Sequence, residues 1–336
     1  MAEGYPRLLG DIGGTNARWA WQAAPAGPLT QPSTPRFTNY REYPCAQFES
    51  VQAVIESYLS DLSLPQPVHV AFGIATPVTG DVVSMTNHHW TFSIEALKQA
   101  LDVKQCLVLN DFAAIAGALP ALTEGDLRRL GGGQAESGAP MAVLGPGTGL
   151  GVASLVHGSK GRAAVVDGEG GHVSLAAANE REYAIVEWLQ KRFGHASAER
   201  AISGPGLVNL YRAICAIDGT AAADLKPSQV SAHALSSDTT DRHLACQEAS
   251  KLFAVFLGSV AGNLALTLGA RGGVFIGGGI VPRLGAAFDS LSFRERFEDK
   301  GRFRSYLEKI PTCVITAPAP ALYGAARALD ALNAQN

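Results

Sequence analysis

Charge is scarce in this chain: 17% of its 336 residues are Asp, Glu, Lys or Arg, against about 25% in an average soluble protein. With 47% hydrophobic residues, the chain is not a disordered, solvated one, which needs low hydrophobicity and high charge. Neither sign dominates. The 27 basic and 30 acidic residues leave a net charge of −3, which argues against nucleic acid or an anionic membrane surface as the main partner. Cysteine is also sparse: five, widely spaced, with no CxxC pair. Neither a disulfide framework nor a zinc cluster is expected, and a reducing cytoplasm is. The start, MAEGYPRLLGDIGG, lacks the basic residues and apolar run of a signal peptide. One uncharged run, the 19 residues from Leu252 to Ala270, carries a GxxxG at Gly258 and Gly262 and is long enough to span a bilayer. Ser259, Asn263 and Thr267 interrupt it, and Gly-rich loops of one compartment flank it on both sides. A buried core helix is therefore expected, and no membrane.

Glycine, by contrast, is abundant: 37 residues, above the usual ~7%. The length suggests about two domains. The pattern predicts strands at Arg7–Gly10, Ala17–Gln22, Val68–Ile74 and Cys106–Leu109, and helices at Gln47–Asp61 and Ser93–Leu101, from apolar runs and helical spacing respectively. The second half repeats the opening: LLGDIGGTNARWAW and AVLGPGTGLGVASL both read as strand, Gly-rich turn, strand. A strand at Ala163–Val166, helices at Arg181–Phe193, Gly206–Ile217, Thr239–Leu268 and Ala321–Leu332, and a strand at Val274–Ile276 complete an α/β pattern. Ser33–Pro44 and Gly131–Pro140 are the most loop-like segments.

Three glycine clusters could hold phosphate or nucleotide. In Gly10-Asp11-Ile12-Gly13-Gly14-Thr15, backbone N–H groups can form an anion-binding nest. Asp11 there could hold Mg²⁺ through water. Gly145-Pro146-Gly147-Thr148-Gly149 repeats that logic, and Gly277-Gly278-Gly279 lets a flat adenine or ribose approach. No GxxxxGK[ST] P-loop is present, and the first cluster opens a hairpin rather than the helix of a dinucleotide fingerprint. An ordinary turn explains any one of the three; the ordered set points to nucleotide.

Asn110-Asp111 follows a strand, where open α/β sheets place ligands. Asp111 is either a base for a substrate hydroxyl or the cap of a helix starting at Phe112. Glu169-Gly170-Gly171-His172 is either a polyol-binding pair or a loop Glu with a core His, and His172 has no partner at metal-ligand spacing. Glu199 is either a site residue or a solvated helix-end charge. Met85-Thr86-Asn87-His88-His89-Trp90 suits a sugar-facing loop.

Assembled in this order, these motifs resemble the bacterial glucokinase family, within the hexokinase, actin and heat-shock-70 superfamily, over nearly the whole chain. Gly10–Arg18 resembles its first phosphate motif, Gly145–Gly151 its second, and Val274–Gly279 its adenosine motif. The 85–90, 109–112, 169–172 and 203–207 segments are also similar to family segments. The resemblance implies two ribonuclease-H-like (actin-like ATPase) domains with a central cleft: a small domain of residues 1–121 plus 317–336, and a large one of 122–316. It implies ATP- and Mg²⁺-dependent phosphorylation of glucose at its 6-hydroxyl, with Asp111 as base. Asn110, Asp111, Glu169, His172 and Glu199 would hold the sugar. Gly10, Asp11, Ile12, Gly13, Gly14, Thr15, Gly147, Thr148, Gly149, Gly277, Gly278 and Gly279 would hold ATP. It further implies a homodimer. The Gly13-Gly14 and Gly147-Thr148-Gly149 turns fall in different domains yet serve one nucleotide, so the domains are expected to close on glucose through hinges near Asp111–Leu122 and Thr316–Leu322. A related group, sugar kinases akin to repressors, carries a cysteine-rich zinc motif after Glu-x-Gly-His. Here Val173-Ser174-Leu175-Ala176 follows instead. A kinase for another hexose or amino sugar, and an actin-like ATPase without a sugar, are the rival functions.

Overall fold

The computed structural model describes residues 4–25, 37–86, 88–158 and 163–333. The chain forms two compact units, Met1–Asp126 with Ala317–Asn336, and Leu127–Thr316. Residues 122–126, expected in the second unit, fall in the first. Thr123 N–H and its hydroxyl both donate to the Asp126 carboxylate, and Asp126 accepts the Ala317 N–H at 3.2 Å, so the outgoing and returning chain are tied together there.

In the first unit, β1 (Arg7–Ile12), β2 (Asn16–Gln22) and β3 (Thr38–Pro44) run antiparallel, and β4 (His69–Ile74) and β7 (Gln105–Asn110) add parallel to β1, giving the order β3-β2-β1-β4-β7. A short hairpin, β5 (Val82–Ser84) and β6 (Thr91–Ser93), stands apart. The central strands are apolar on both faces because both are covered, as parallel strands require. One face packs Leu8, Ile12, Val70, Phe72 and Ile74 on α1 (Val51–Asp61) and α2 (Ile94–Ala100). The other packs Leu9, Ala20 and Ala71 on Leu322, Ala325 and Leu329 of the C-terminal helix, Ala321–Asn333. Arg7, 1% exposed, donates to Asp330 Oδ1 at 2.7 Å and fixes that helix to β1. Ser93 caps α2, its hydroxyl accepting the Ala96 N–H, as its type and position suggested. α3 (Asp111–Ala118) follows β7 directly.

The loop reading of Ser33–Pro44 needs correction over Thr38–Pro44. Residues 33–36 lie outside the described residues, but Thr38–Pro44 is strand β3. Its sequence TNYREYP shows no apolar alternation because it is an edge strand with most side chains exposed. Its pairing rests on the backbone of β2.

The second unit repeats the arrangement. β9 (Met141–Pro146), β10 (Leu150–His157) and β11 (Ala163–Gly168) are antiparallel, and β12 (Gly273–Ile276) and β13 (Thr312–Ile315) are parallel to β9. The order β11-β10-β9-β12-β13 matches β3-β2-β1-β4-β7 strand for strand, with β8 (Leu127–Gly131) added at the edge. Gly131, read as the start of a loop, therefore ends a strand. The duplicated hairpin in the sequence is a duplicated ribonuclease-H-like sheet. The helices are α4 (Glu180–Phe193), α5 (Gly204–Ile217), α6 (Pro227–Ala234), α7 (Asp241–Leu268), α8 (Ile280–Leu284), α9 (Ser290–Glu298), α10 (Arg304–Leu307) and, returning to the first unit, α11 (Ala321–Asn333).

α7 is one helix long and apolar enough to cross a membrane, with a mean hydropathy of 1.6. Its glycines have another use. A Cβ on Gly258 would overlap the Phe293 carbonyl oxygen, and one on Gly262 would lie 2.6 Å from that of Phe297. The GxxxG is thus the seat of α9, and Phe253, Phe256, Leu257 and Ala261 of α7 belong to the core.

Candidate functional site

In the first unit, three carboxyl-terminal strand ends lie side by side: Asp11 pairs across to Gly73, and Ile74 to Asn110. Asp11, Asn110 and Asp111 are thereby brought to one edge of the sheet. Gly73 pairs with Asp11 and packs against the backbone of Asp111. A Cβ there would lie 3.3 Å from Asp111 Cα and 3.2 Å from Ala114 Cβ, so glycine lets α3 start close to β4.

The helix cap is Asn110, not Asp111. Asn110 Oδ1 accepts the Phe112 and Ala113 N–H groups at 2.9 and 3.1 Å, and its Nδ2 donates to Thr76 O at 3.3 Å. Asn110→Ala is expected to cost ~1 kcal/mol of stability, read as a lowered urea midpoint; an unchanged midpoint would mean the cap is dispensable. With the cap supplied by its neighbour, Asp111 occupies the first helical position, one oxygen accepting the Phe112 N–H at 2.9 Å. Burial, and secondly the nearby charge of Asp11, push its carboxyl up to about 7. A carboxyl near neutrality can both take and return a proton under working conditions.

Asp11 is pushed up by burial too, against the pull of Arg18. Arg18 Nη1 lies 3.2 Å from Asp11 Oδ2, and its Nη2 lies 3.2 Å from Glu42. The antiparallel register sets Arg18 opposite Asp11. Arg18 received no role from the sequence, although its place in the hairpin register could have marked it. The turn between them is closed by Gly13 N–H donating to Asn16 O at 2.9 Å and by Cys45 N–H donating to Thr15 O at 2.8 Å. Gly14 and Thr15 are exposed at its tip. Gly10 is a packing glycine rather than a ligand-facing one: a Cβ would lie 2.8 Å from Phe72 Cβ and overlap the Trp19 ring.

The Met85–Trp90 loop is anchored at its two ends, while Thr86 and His89 between them are exposed. Met85 and Trp90 are 6% and 2% exposed, and the Trp90 indole donates to Phe48 O at 3.0 Å. Trp90 is therefore core rather than a sugar-facing aromatic. Asn87 lies outside the described residues.

In the second unit, three of the candidate sugar residues, Glu169, His172 and Glu199, lie near the second and third Gly-rich elements. β11 runs into Glu169, whose Oε2 lies 3.9 Å from His172 Nε2, both side chains exposed. The intervening glycines are obligatory for contact with β10: a Cβ on Gly170 would lie 2.8 Å from Val152 Cβ, and one on Gly171 would overlap Leu150 O. Leu175 N–H donates to Ala196 O and Ala198 N–H to Val173 O, both at 2.9 Å, which sets the 169–172 turn beside Glu199. His195 Nε2 lies 3.0 Å from His172 O. Glu199 is only partly exposed, and its Oε2 accepts the Leu150 N–H at 2.9 Å, so it is not a solvated helix-end charge. Gly147 N–H donates to Gly149 O at 2.8 Å, and a Cβ on Gly147 would meet nothing within 4 Å, leaving that face of the turn open. Gly277 N–H donates to Leu144 O at 2.9 Å. Gly278, at φ +75°, would place a Cβ 2.6 Å from Pro146 O, so the third cluster lies directly against the second. Among the described residues there is no cluster of three His, Cys, Asp or Glu that could hold a metal ion.

The family model described as Glucokinase matches residues 8–332. The glucokinase of Chromobacterium violaceum is 50% identical over 326 residues, covering 97% of this chain and 90% of that protein. The crystal structure of a glucokinase from an Antarctic psychrotroph superposes with a TM-score of 0.86 at 38% identity, covering 97% of this chain and 99% of the other. A more distant ROK family glucokinase from Streptomyces griseus, solved with glucose and AMPPNP, shares the fold at a TM-score of 0.60 and 16% identity over 96% of this chain and 98% of its own. The chain belongs to the glucokinase family.

Proposed function

We propose that the chain transfers the γ-phosphoryl group of ATP to the 6-hydroxyl of D-glucose, giving glucose 6-phosphate and ADP. The observation that carries the mechanism is Asp111, the first residue of α3 at the carboxyl end of β7, near Asp11 and with its carboxyl pushed up to about 7. Asp111 takes the 6-hydroxyl proton as that oxygen bonds to the γ-phosphorus and the bond from the γ-phosphorus to the β,γ-bridging oxygen breaks. The Gly13–Thr15 and Gly147–Gly149 turns receive the phosphates through backbone N–H groups, and Gly277–Gly279 receives the adenosine. Glu169, His172 and Glu199 hold sugar hydroxyls. Asn110 Nδ2 keeps one hydrogen beyond its bond to Thr76 and can donate it to the sugar.

Mg²⁺ supplied with ATP would neutralise charge on the phosphates. Asp11 fits a hydrated ion, since one carboxylate oxygen is engaged by Arg18 and the other has no partner among the described residues, and Mg²⁺ keeps its waters readily. The proposal includes placement in the hexokinase, actin and heat-shock-70 superfamily, supported by the repeated strand order. It also includes a cytoplasmic homodimer; the five free cysteines fit a reducing compartment.

A coupled assay of ADP release, with and without glucose, tests the activity. Glucose is expected to exceed galactose in kcat/KM by about a hundredfold or more, because a site that hydrogen-bonds a hydroxyl rejects an epimer that leaves its groups unpaired. ADP release independent of sugar would replace the kinase with an ATPase. Preference for galactose or an N-acetylated amino sugar would keep the kinase and change its substrate.

A further inference from the structure

Glu199 does more than its place in the sugar set requires. The hairpin β9–β10 turns at Gly147-Thr148-Gly149, and Leu150, 5% exposed, is the first residue of β10. Its N–H donates to Glu199 Oε2 at 2.9 Å. A Cβ on Gly149 would overlap that same oxygen, so carboxylate and turn are in contact and not merely near. The chain following Glu199 grips the other side of the turn. Gly204 N–H donates to Gly147 O at 2.9 Å, and the Ser203 hydroxyl donates to Glu199 O at 2.8 Å while accepting the Gly206 N–H at 2.9 Å. Gly206 permits this fold-back, since a Cβ there would lie 2.6 Å from Ala201 C and 3.0 Å from Glu199 O. Segment 199–206 thus clasps residues 147–150 at both ends.

We propose that Glu199 is a positioning residue for the nucleotide: its carboxylate holds the Gly147–Gly149 turn in the shape that receives a phosphate, independently of any sugar. A charge-assisted bond to a buried backbone donor is a strong one, and removing the acceptor leaves the Leu150 N–H unsatisfied. Among the described residues the hydrogen bonds of this carboxylate run through Oε2 alone, so Oε1 remains for a sugar hydroxyl. One side chain then serves both substrates. The identity of the anion rests on the proposed function; the brace itself does not.

The test is calorimetric titration of AMPPNP with magnesium into the full chain in the absence of sugar. Glu199→Gln keeps an acceptor oxygen for Leu150 but not the charge, and is expected to bind AMPPNP about threefold more weakly than the unaltered protein. Glu199→Ala is expected to bind it about tenfold more weakly, the size of one lost hydrogen bond. Glu199→Asp keeps the charge but withdraws it by one methylene, and should weaken binding similarly. It serves if the alanine variant does not fold, as judged by its melting transition. AMPPNP binding unchanged in the alanine or aspartate variant overturns the proposal, as does loss in the glutamine variant equal to that in alanine. Glucose phosphorylation by the unaltered protein is measured in the same preparation. If that fails while the titrations follow the expected order, the sugar reading falls and the brace stands.

Discussion

Asp111→Asn is expected to lower kcat by ~10²–10⁴ while making the protein more stable at neutral pH. The rate loss is the usual worth of a general base, and the amide preserves shape. The stability gain follows from the carboxyl's environment. Burial and the Asp11 charge raise the folded-state value to about 7 from 3.8, so the folded protein holds this proton more tightly than the unfolded chain. Below about pH 4 both states are protonated, and the group leaves stability unchanged. Between about pH 4 and 7 the unfolded chain releases the proton and the folded protein does not, so stability falls with rising pH and levels off above 7. Asparagine cannot ionise and avoids that fall. Its advantage in melting temperature should therefore be small near pH 4, grow to pH 7 and then hold constant. In the unaltered enzyme, kcat/KM should decline below pH 7 as the base becomes protonated. A variant with near-normal kcat would reduce Asp111 to the opening residue of α3, and a variant less stable at every pH would mean its carboxylate is a structural partner.

The parts of this site that could be read in the sequence are those whose signal is local. Gly13-Gly14-Thr15 and Gly147-Thr148-Gly149 sit between apolar runs, and a strand–turn–strand pattern requires nothing distant to be recognised. Asn110-Asp111 was legible as a strand end, but not which of the two would cap the helix; both types cap well, and only the backbone geometry assigns the role to Asn110. Glu199 reads as either a surface charge or a site residue until Leu150, 49 positions earlier, is seen to donate to it. β3 and β8 were missed because edge strands with polar or mixed faces carry no period-two pattern. The glycines split along the same line. Turn glycines announce themselves by clustering, whereas Gly73 and Gly324 are lone residues in a strand and a helix. Their reason lies in what packs against them.

Gly324 carries the second large effect. It lies in α11, which packs on α3, β1 and β4, and a Cβ at this position would overlap the carbonyl oxygen of Ala114 in α3. The obstacle is backbone on both sides, so no rotamer change relieves it; the helices must separate. Ala114 is one turn from Asp111, and the same crossing is tightened by Ala321, whose Cβ would lie 3.5 Å from a Cβ on Gly73. Gly324→Ala is thus expected to cost about 3 kcal/mol, at the upper end for overpacking, despite alanine's better helix propensity. Displacing the start of α3 by even an ångström should also cost about a hundredfold in kcat. The signature differs from that of Asp111→Asn: activity and stability fall together, at every pH, and the urea midpoint drops. Melting and turnover equal to those of the unaltered protein would mean that α11 yields freely at this crossing. The placement of Asp111 would then be set by Gly73 and the Asn110 cap alone.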